Sequence, residues 1–150
     1  MNKLFAICIV AAASASPAQA QSSTFTTQQT SSQAVGGTRT DGTAFGGQTT
    51  AGTSETVAAD GKKWSGTHKC VAVTMPPNDT TYNARLVCDN SDPSGTSSTI
   101  WGCTAPAKET NTVFCTGWAF GKTGAYANRR GTMTFMGAGG TGSGTSQWGK

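Results

Sequence analysis

Residues 113–120 alternate with a period of two. Val113, Cys115, Gly117 and Ala119 fall on one side of an extended chain, and Phe114, Thr116, Trp118 and Phe120 on the other. This is the spacing of a β-strand. Val71, Val73 and Met75 alternate in the same way with Cys70, Ala72 and Thr74. Tyr82, Ala84, Leu86 and Cys88 alternate with Asn83, Arg85 and Val87. Pro76-Pro77-Asn78-Asp79 lies between those two runs and has turn chemistry. Asp92-Pro93-Ser94-Gly95 puts Asp, Pro and Gly where a type I turn wants them. A third strand then spans 97–103, with Ile100 and Trp101 near its end, and 105–111 reads as a connection. The fourth strand covers 112–120, Gly121 to Gly124 a tight turn, and 131–136 the fifth strand. Gly137 to Gly142 is a glycine loop, and 143–148 is the sixth strand. No stretch carries a 3.6-residue apolar stripe long enough for a helix. Short strands at regular spacing with glycine-rich turns predict an all-β fold, an antiparallel sandwich or barrel of about 61–150.

Residues 21–60 read differently. They are rich in Thr, Ser, Gln and Gly, with Phe25 and Phe45 as the only aromatics. Such a composition buries little apolar area against the chain entropy of folding, which predicts a flexible spacer. A stalk or O-glycan carrier is the functional version. Thr also favours the pleated state, so one or two strands are the alternative, with 53–57 the best candidate.

Residues 1–20 have the plan of a secretory signal peptide: Lys3, an apolar run from Leu4 to Ala13, and Ala18-Gln19-Ala20 as a cleavage site after Ala20. The expected location is periplasmic or secreted, and no later segment is apolar enough to span a bilayer. The chain carries 11 Lys and Arg against 7 Asp and Glu, and without Lys3 ten against seven, a net +3. That is a scattered excess rather than the dense stripe of a nucleic-acid binder. It fits a solvated surface with weak attraction for anionic glycans or lipid headgroups. Beyond residue 20 the cysteines are Cys70, Cys88, Cys103 and Cys115, an even number in an oxidising compartment, which predicts two disulfides. Three connectivities exist. A meander of hairpins favours Cys103 with Cys115 and Cys70 with Cys88. Intervening stretches of 17, 14 and 11 residues, with no C-x-x-C, argue against zinc. No metal or other cofactor is expected.

Several motifs weaken on inspection. Gly117 to Thr123 suggests a phosphate loop but has three residues between its glycines instead of four, and no following helix. Gly137 to Gly142 matches G-x-G-x-x-G, yet the eight residues after it leave no room for a dinucleotide unit, so a bulged turn is expected. Asp89-Asn90-Ser91-Asp92 breaks the EF-hand spacing at Pro93 and reads as a surface turn. His68, the single histidine, reads as a strand residue beside Lys69. No carboxylate pair faces a cleft, and Glu109 sits in a connection. Trp64, Trp101, Trp118 and Trp148 read as core or barrel-end plugs. Their functional reading is a lining for an apolar or sugar ligand. The candidate ligand-binding set is Trp101, Trp118 and Tyr126, with Arg129 and Arg130 for an anionic group.

The run from Cys115 to Thr132, Cys-Thr-Gly-Trp-Ala-Phe-Gly-Lys-Thr-Gly-Ala-Tyr-Ala-Asn-Arg-Arg-Gly-Thr, resembles bacterial secreted relatives of allene oxide cyclase and dirigent proteins. Gly124, Tyr126, Ala127, Gly131 and Thr132 match that pattern, and Asn128 stands where glycine is usual. The likeness spans about Trp64 to Lys150. It implies an eight-stranded antiparallel barrel, whose two further strands would come from Thr43 to Gly66 or be missing. No catalytic residue of the plant enzymes has a counterpart here, and fold alone transfers no activity. Three functions fit. The first is a non-catalytic module for a small apolar or glycan ligand or an envelope partner. The second is a cyclase- or dirigent-like enzyme that steers an apolar intermediate by pocket shape. The third is an extracellular interaction or adhesion factor. The residues lean against catalysis. An enzyme would need a polar group such as Tyr82, Tyr126 or Arg85 converging on a cavity lined by Trp101, Trp118 or Phe135.

Overall fold

The computed structural model describes residues 21–75, 81–104 and 112–149. Eight strands occur in chain order: β1 Gln21–Thr38, β2 Ala44–Ala58, β3 Lys63–Thr74, β4 Ala84–Asp92, β5 Gly95–Thr104, β6 Thr112–Gly121, β7 Arg130–Ala138 and β8 Thr141–Trp148. Each pairs antiparallel with the next, and β8 returns to β1. The result is a closed up-and-down barrel, which leaves no edge along the paired lengths. A single 3-10 turn, Gly124–Tyr126, interrupts the β6–β7 connection. The signal-peptide reading falls on 1–20, outside the described residues. The Pro76–Asp79 turn and the 105–111 connection with Glu109 also lie outside them.

The reading of 21–60 as a flexible spacer is corrected. That stretch supplies β1 and β2, and the 53–57 segment lies inside β2. β1 is laddered on one side to β2 and from Gln21 to Gln28 on the other side to β8. Its Thr, Ser and Gln side chains suit a half-solvated strand, and Phe25 anchors it in the core. The stabilising partners lie far away in sequence, so local composition cannot show them. Beyond Gln28 the two strands continue as a hairpin past the rim of β8, with a register shift between Gln29 and Ser31.

The other elements run longer than their apolar alternation suggests. β4 continues through Asp89-Asn90-Ser91-Asp92, so that run is strand and not the surface turn expected. Gly139 and Gly140 make a two-residue hairpin with φ of 59° and 84°, the pair of positive values that a type I′ turn requires. The turn is therefore tight and carries no bulge.

Within the closed part of the barrel, alternate residues of each strand face the interior. Cys70 sits directly opposite Cys88, and Cys103 opposite Cys115. Both pairs are disulfides, the pairing expected of a meander. Around them pack Phe25, Trp101, Leu86, Val113, Met133 and Phe135. Glycines make room for the rings. Gly144 lies in register between Phe25 and Phe135, whose rings stack across it at 6.5 Å and 5°. A Cβ on Gly144 would stand 2.6 Å from Phe25 Cζ, and one on Gly117 would stand 2.7 Å from Trp101 Cε3. Both glycines are required by close approach rather than by a turn.

Candidate functional site

An eight-stranded barrel is just wide enough either to fill itself with side chains or to hold one small ligand. Here the interior keeps a cavity of about 570 Å³. Its wall has two characters. Leu86 on β4, Trp101 on β5, Val113 on β6, and Met133 and Phe135 on β7 form an apolar side, together with both disulfides. Trp101 meets Phe135 edge to face at 6.3 Å. Across from them, β2 presents Gln48, Thr50, Ser54 and Thr56, and β3 presents His68 beside Asn90 of β4.

The polar groups divide into satisfied and available ones. Thr99 is fully buried; its Oγ1 accepts from Trp101 Nε1 at 2.8 Å and from Asn90 Nδ2 at 3.4 Å. This fixes the indole against the wall. His68 makes no side-chain hydrogen bond to any described residue, and its ring lies over Gly52, the position opposite it on β2. Burial lowers its pKa below the ordinary 6.5, so the ring is neutral at pH 7. A neutral imidazole facing a cavity offers one donor and one acceptor.

One end of the barrel carries a polar-aromatic cluster. Asp92 Oδ2 accepts from Tyr126 Oη at 2.7 Å and from Trp64 Nε1 at 3.1 Å, and Asp92 Oδ1 accepts from Ser94 N–H at 2.7 Å. The 3-10 turn carries Tyr126 over this end, where its ring lies 4.8 Å from that of Trp148. Burial first, and then the Asp92 hydrogen bond, push the Tyr126 phenol well above its ordinary value. The phenol therefore serves as a donor and does not ionise at neutral pH.

The candidate residues read from the sequence separate accordingly. Trp101 and Tyr126 both border the cavity. Trp118 is on the outer surface and 62% exposed, because it occupies the opposite face of β6 from Cys115 and Gly117. It is not among the residues that line the cavity. Arg130 is also exterior, opposite Phe120. Arg129 is a seam residue: it donates to the carbonyls of Gly149 and Trp148 and, from Nη1, to Gln21 Oε1 at 3.0 Å, tying the start of β1 to the end of β8. Tyr82 and Arg85 stack on each other over the exterior at 4.9 Å. Of the three polar groups named for a cavity, Tyr126 alone borders it. Phe25, His68 and Asn90 were missed. Their period-two positions hold the signal, but it is readable only once the strand and its inward face are known. Gly121–Gly124 opens the β6–β7 connection, and its Lys122 Nζ bonds Asp89 Oδ1 at 2.8 Å. Among the described residues no three His, Cys, Asp or Glu side chains cluster as metal ligands.

No family model matches this chain, and no curated protein matches it in sequence.

Proposed function

We propose that this protein is a non-catalytic binding module of an oxidising compartment, exported by removal of residues 1–20, that holds a small amphiphilic ligand inside its barrel. The observation that carries the reading is the two-sided cavity of about 570 Å³, within the range of small-molecule sites, roughly 300–1,000 Å³. The aromatic and aliphatic wall would take the apolar body of the ligand. The Thr, Ser and Gln side chains of β2 would meet a hydroxyl or carbonyl edge, with His68 as the group free to bond it. The two disulfides fit such a compartment and hold the wall in shape without a ligand.

The test is native mass spectrometry of protein purified from an oxidising host, combined with Trp101 quenching by a panel of hydroxylated terpenoid and fatty-acid probes. A retained mass of a few hundred daltons, or saturable quenching, is expected. Thr50→Phe, which fills the lumen, should abolish it, and Trp118→Ala on the exterior should not. If no probe binds and Thr50→Phe matches wild type throughout, the carrier reading fails.

A second reading is favoured by one observation, the unpartnered imidazole in the lumen. The likeness of Cys115–Thr132 to the allene oxide cyclase and dirigent group supports an enzyme that steers a reactive apolar intermediate by shape, with His68 as the polar contact. Turnover lost in His68→Gln while probe affinity persists would select this reading over a carrier.

A further inference from the structure

The outer surface of the barrel is as uneven as its lumen. On β8, β1 and β2 the outward residues of the closed barrel are mostly Thr, Ser and Gln, among them Thr24, Thr26, Thr53, Ser143 and Thr145, with Ala51, Glu55 and Val57 of β2 beside them. Of the ten large hydrophobic residues exposed among the described residues, eight lie on the exterior of β3–β7. Strand register sets four of them side by side. Val71 is opposite Val87, Val87 opposite Ile100, and Ile100 opposite Trp118. These four side chains are between 45% and 62% exposed. Phe120 lies in the next row on one side and Val73 in the next row on the other.

The charge around this stripe is one-sided. The row holding Phe120 begins at Lys69 and ends at Arg130, and the row holding Val73 continues to Arg85. The one acid in these rows, Asp89, is occupied by Lys122 and by Ser98 Oγ. Two copies meeting through the stripe would bring cations against cations. The stripe is also convex, with its indole projecting from the surface of a cylinder, whereas protein interfaces seat their aromatic anchors in pockets. A projecting tryptophan among branched aliphatics with a cationic rim is the composition that enters the headgroup region of an anionic bilayer. The Thr- and Ser-rich opposite face excludes a lipid-facing band all round, so the barrel would lie on the membrane rather than cross it.

We infer that the β3–β6 exterior, centred on Trp118 and Ile100 and rimmed by Lys69, Arg85 and Arg130, is a docking surface for an anionic lipid bilayer. This stands apart from the lumen, since none of these side chains enters it. The full chain, purified with its disulfides intact, is floated with vesicles of phosphatidylglycerol and phosphatidylethanolamine or of phosphatidylcholine alone. At least tenfold more protein should float with the anionic vesicles, with a blue-shifted tryptophan emission, and high salt should release most of it. Trp118→Ser and Ile100→Thr, both at exposed positions and checked for unchanged melting, should each lower the bound fraction fivefold or more. Arg85→Gln should weaken binding to the anionic vesicles only. Equal, low flotation with both vesicles overturns the inference, as does binding that ignores Trp118→Ser. A wild-type dimer that Trp118→Ser converts to monomer, without vesicle binding, overturns it in favour of a second copy.

Discussion

The strand pair β1–β2 and the block β3–β6 face each other across one lumen, yet they are held by different means. The block carries both disulfides, and each joins strands adjacent in the chain, at sequence separations of 18 and 12. The pair has no cysteine and one buried aromatic, Phe25. Its task is the harder one, because β1 must close the barrel on β8, where Ser23 and Ser146 bond at a separation of 123 residues. Loop-closure entropy rises with that separation. The closing seam is therefore the costliest contact to form, and no covalent bond reinforces it. It is held by the β1–β8 ladder, by the stack of Phe25 on Phe135, and by Arg129 bridging Gln21 to Trp148 and Gly149. Cross-links in this barrel secure what is already local and leave the global closure to packing.

The comparison can be broken first at the covalent side. Replacing Cys70 and Cys88, or Cys103 and Cys115, by alanine pairs should destabilise by about 3 kcal/mol for each bridge in the chain-entropy model. Removing both should leave the protein near unfolding at 37 °C, which thermal melts with and without reductant would show. Melting that ignores reductant would contradict the division of labour described above.

Phe25→Ala attacks the seam instead and should cost about 3–4 kcal/mol, the usual loss for a buried phenylalanine. Hydrogen exchange should then rise first in β1 and β8, while the β3–β6 amides stay protected until global unfolding. Uniform loss of protection would mean that the two halves do not differ.

The smallest effect sharpens the lumen. His68 has its pKa lowered by burial, so the unfolded chain binds a proton that the folded chain resists. The stability it contributes is full above the ordinary value of 6.5 and is lost as pH falls below it. Melting temperature should drop slightly between pH 7.5 and 5.5, and His68→Gln should flatten that slope. An equal slope in the variant would place the proton elsewhere.

Much of the fold is legible in the residues. Six strands, the turn at Asp92–Gly95 and the disulfide pairing follow from period-two alternation and glycine, proline and aspartate chemistry. β1 and β2 do not, because a run such as Thr-Phe-Thr-Thr-Gln-Gln is equally at home in solvent or in a ladder, and only partners far along the chain decide between them. The candidate site was half legible. Trp101 and Tyr126 border the cavity, but Trp118 drew attention through its residue type while its strand face points to solvent. The alternation of 113–120 already separated Trp118 from Cys115, and a face shared with a disulfide cysteine is the better marker of the interior.

By itself the amino-acid order determined the pleated class, the turn between β4 and β5 and which cysteines become neighbours, since each depends on residues close together in sequence. Closure decided the rest: which of the two alternating faces looks inward, that a Thr-rich stretch becomes wall, and that rings seated on glycines leave a cavity between them. Those outcomes depend on β1 meeting β8. Burial is a property of the completed cylinder, and no local stretch of chain encodes it.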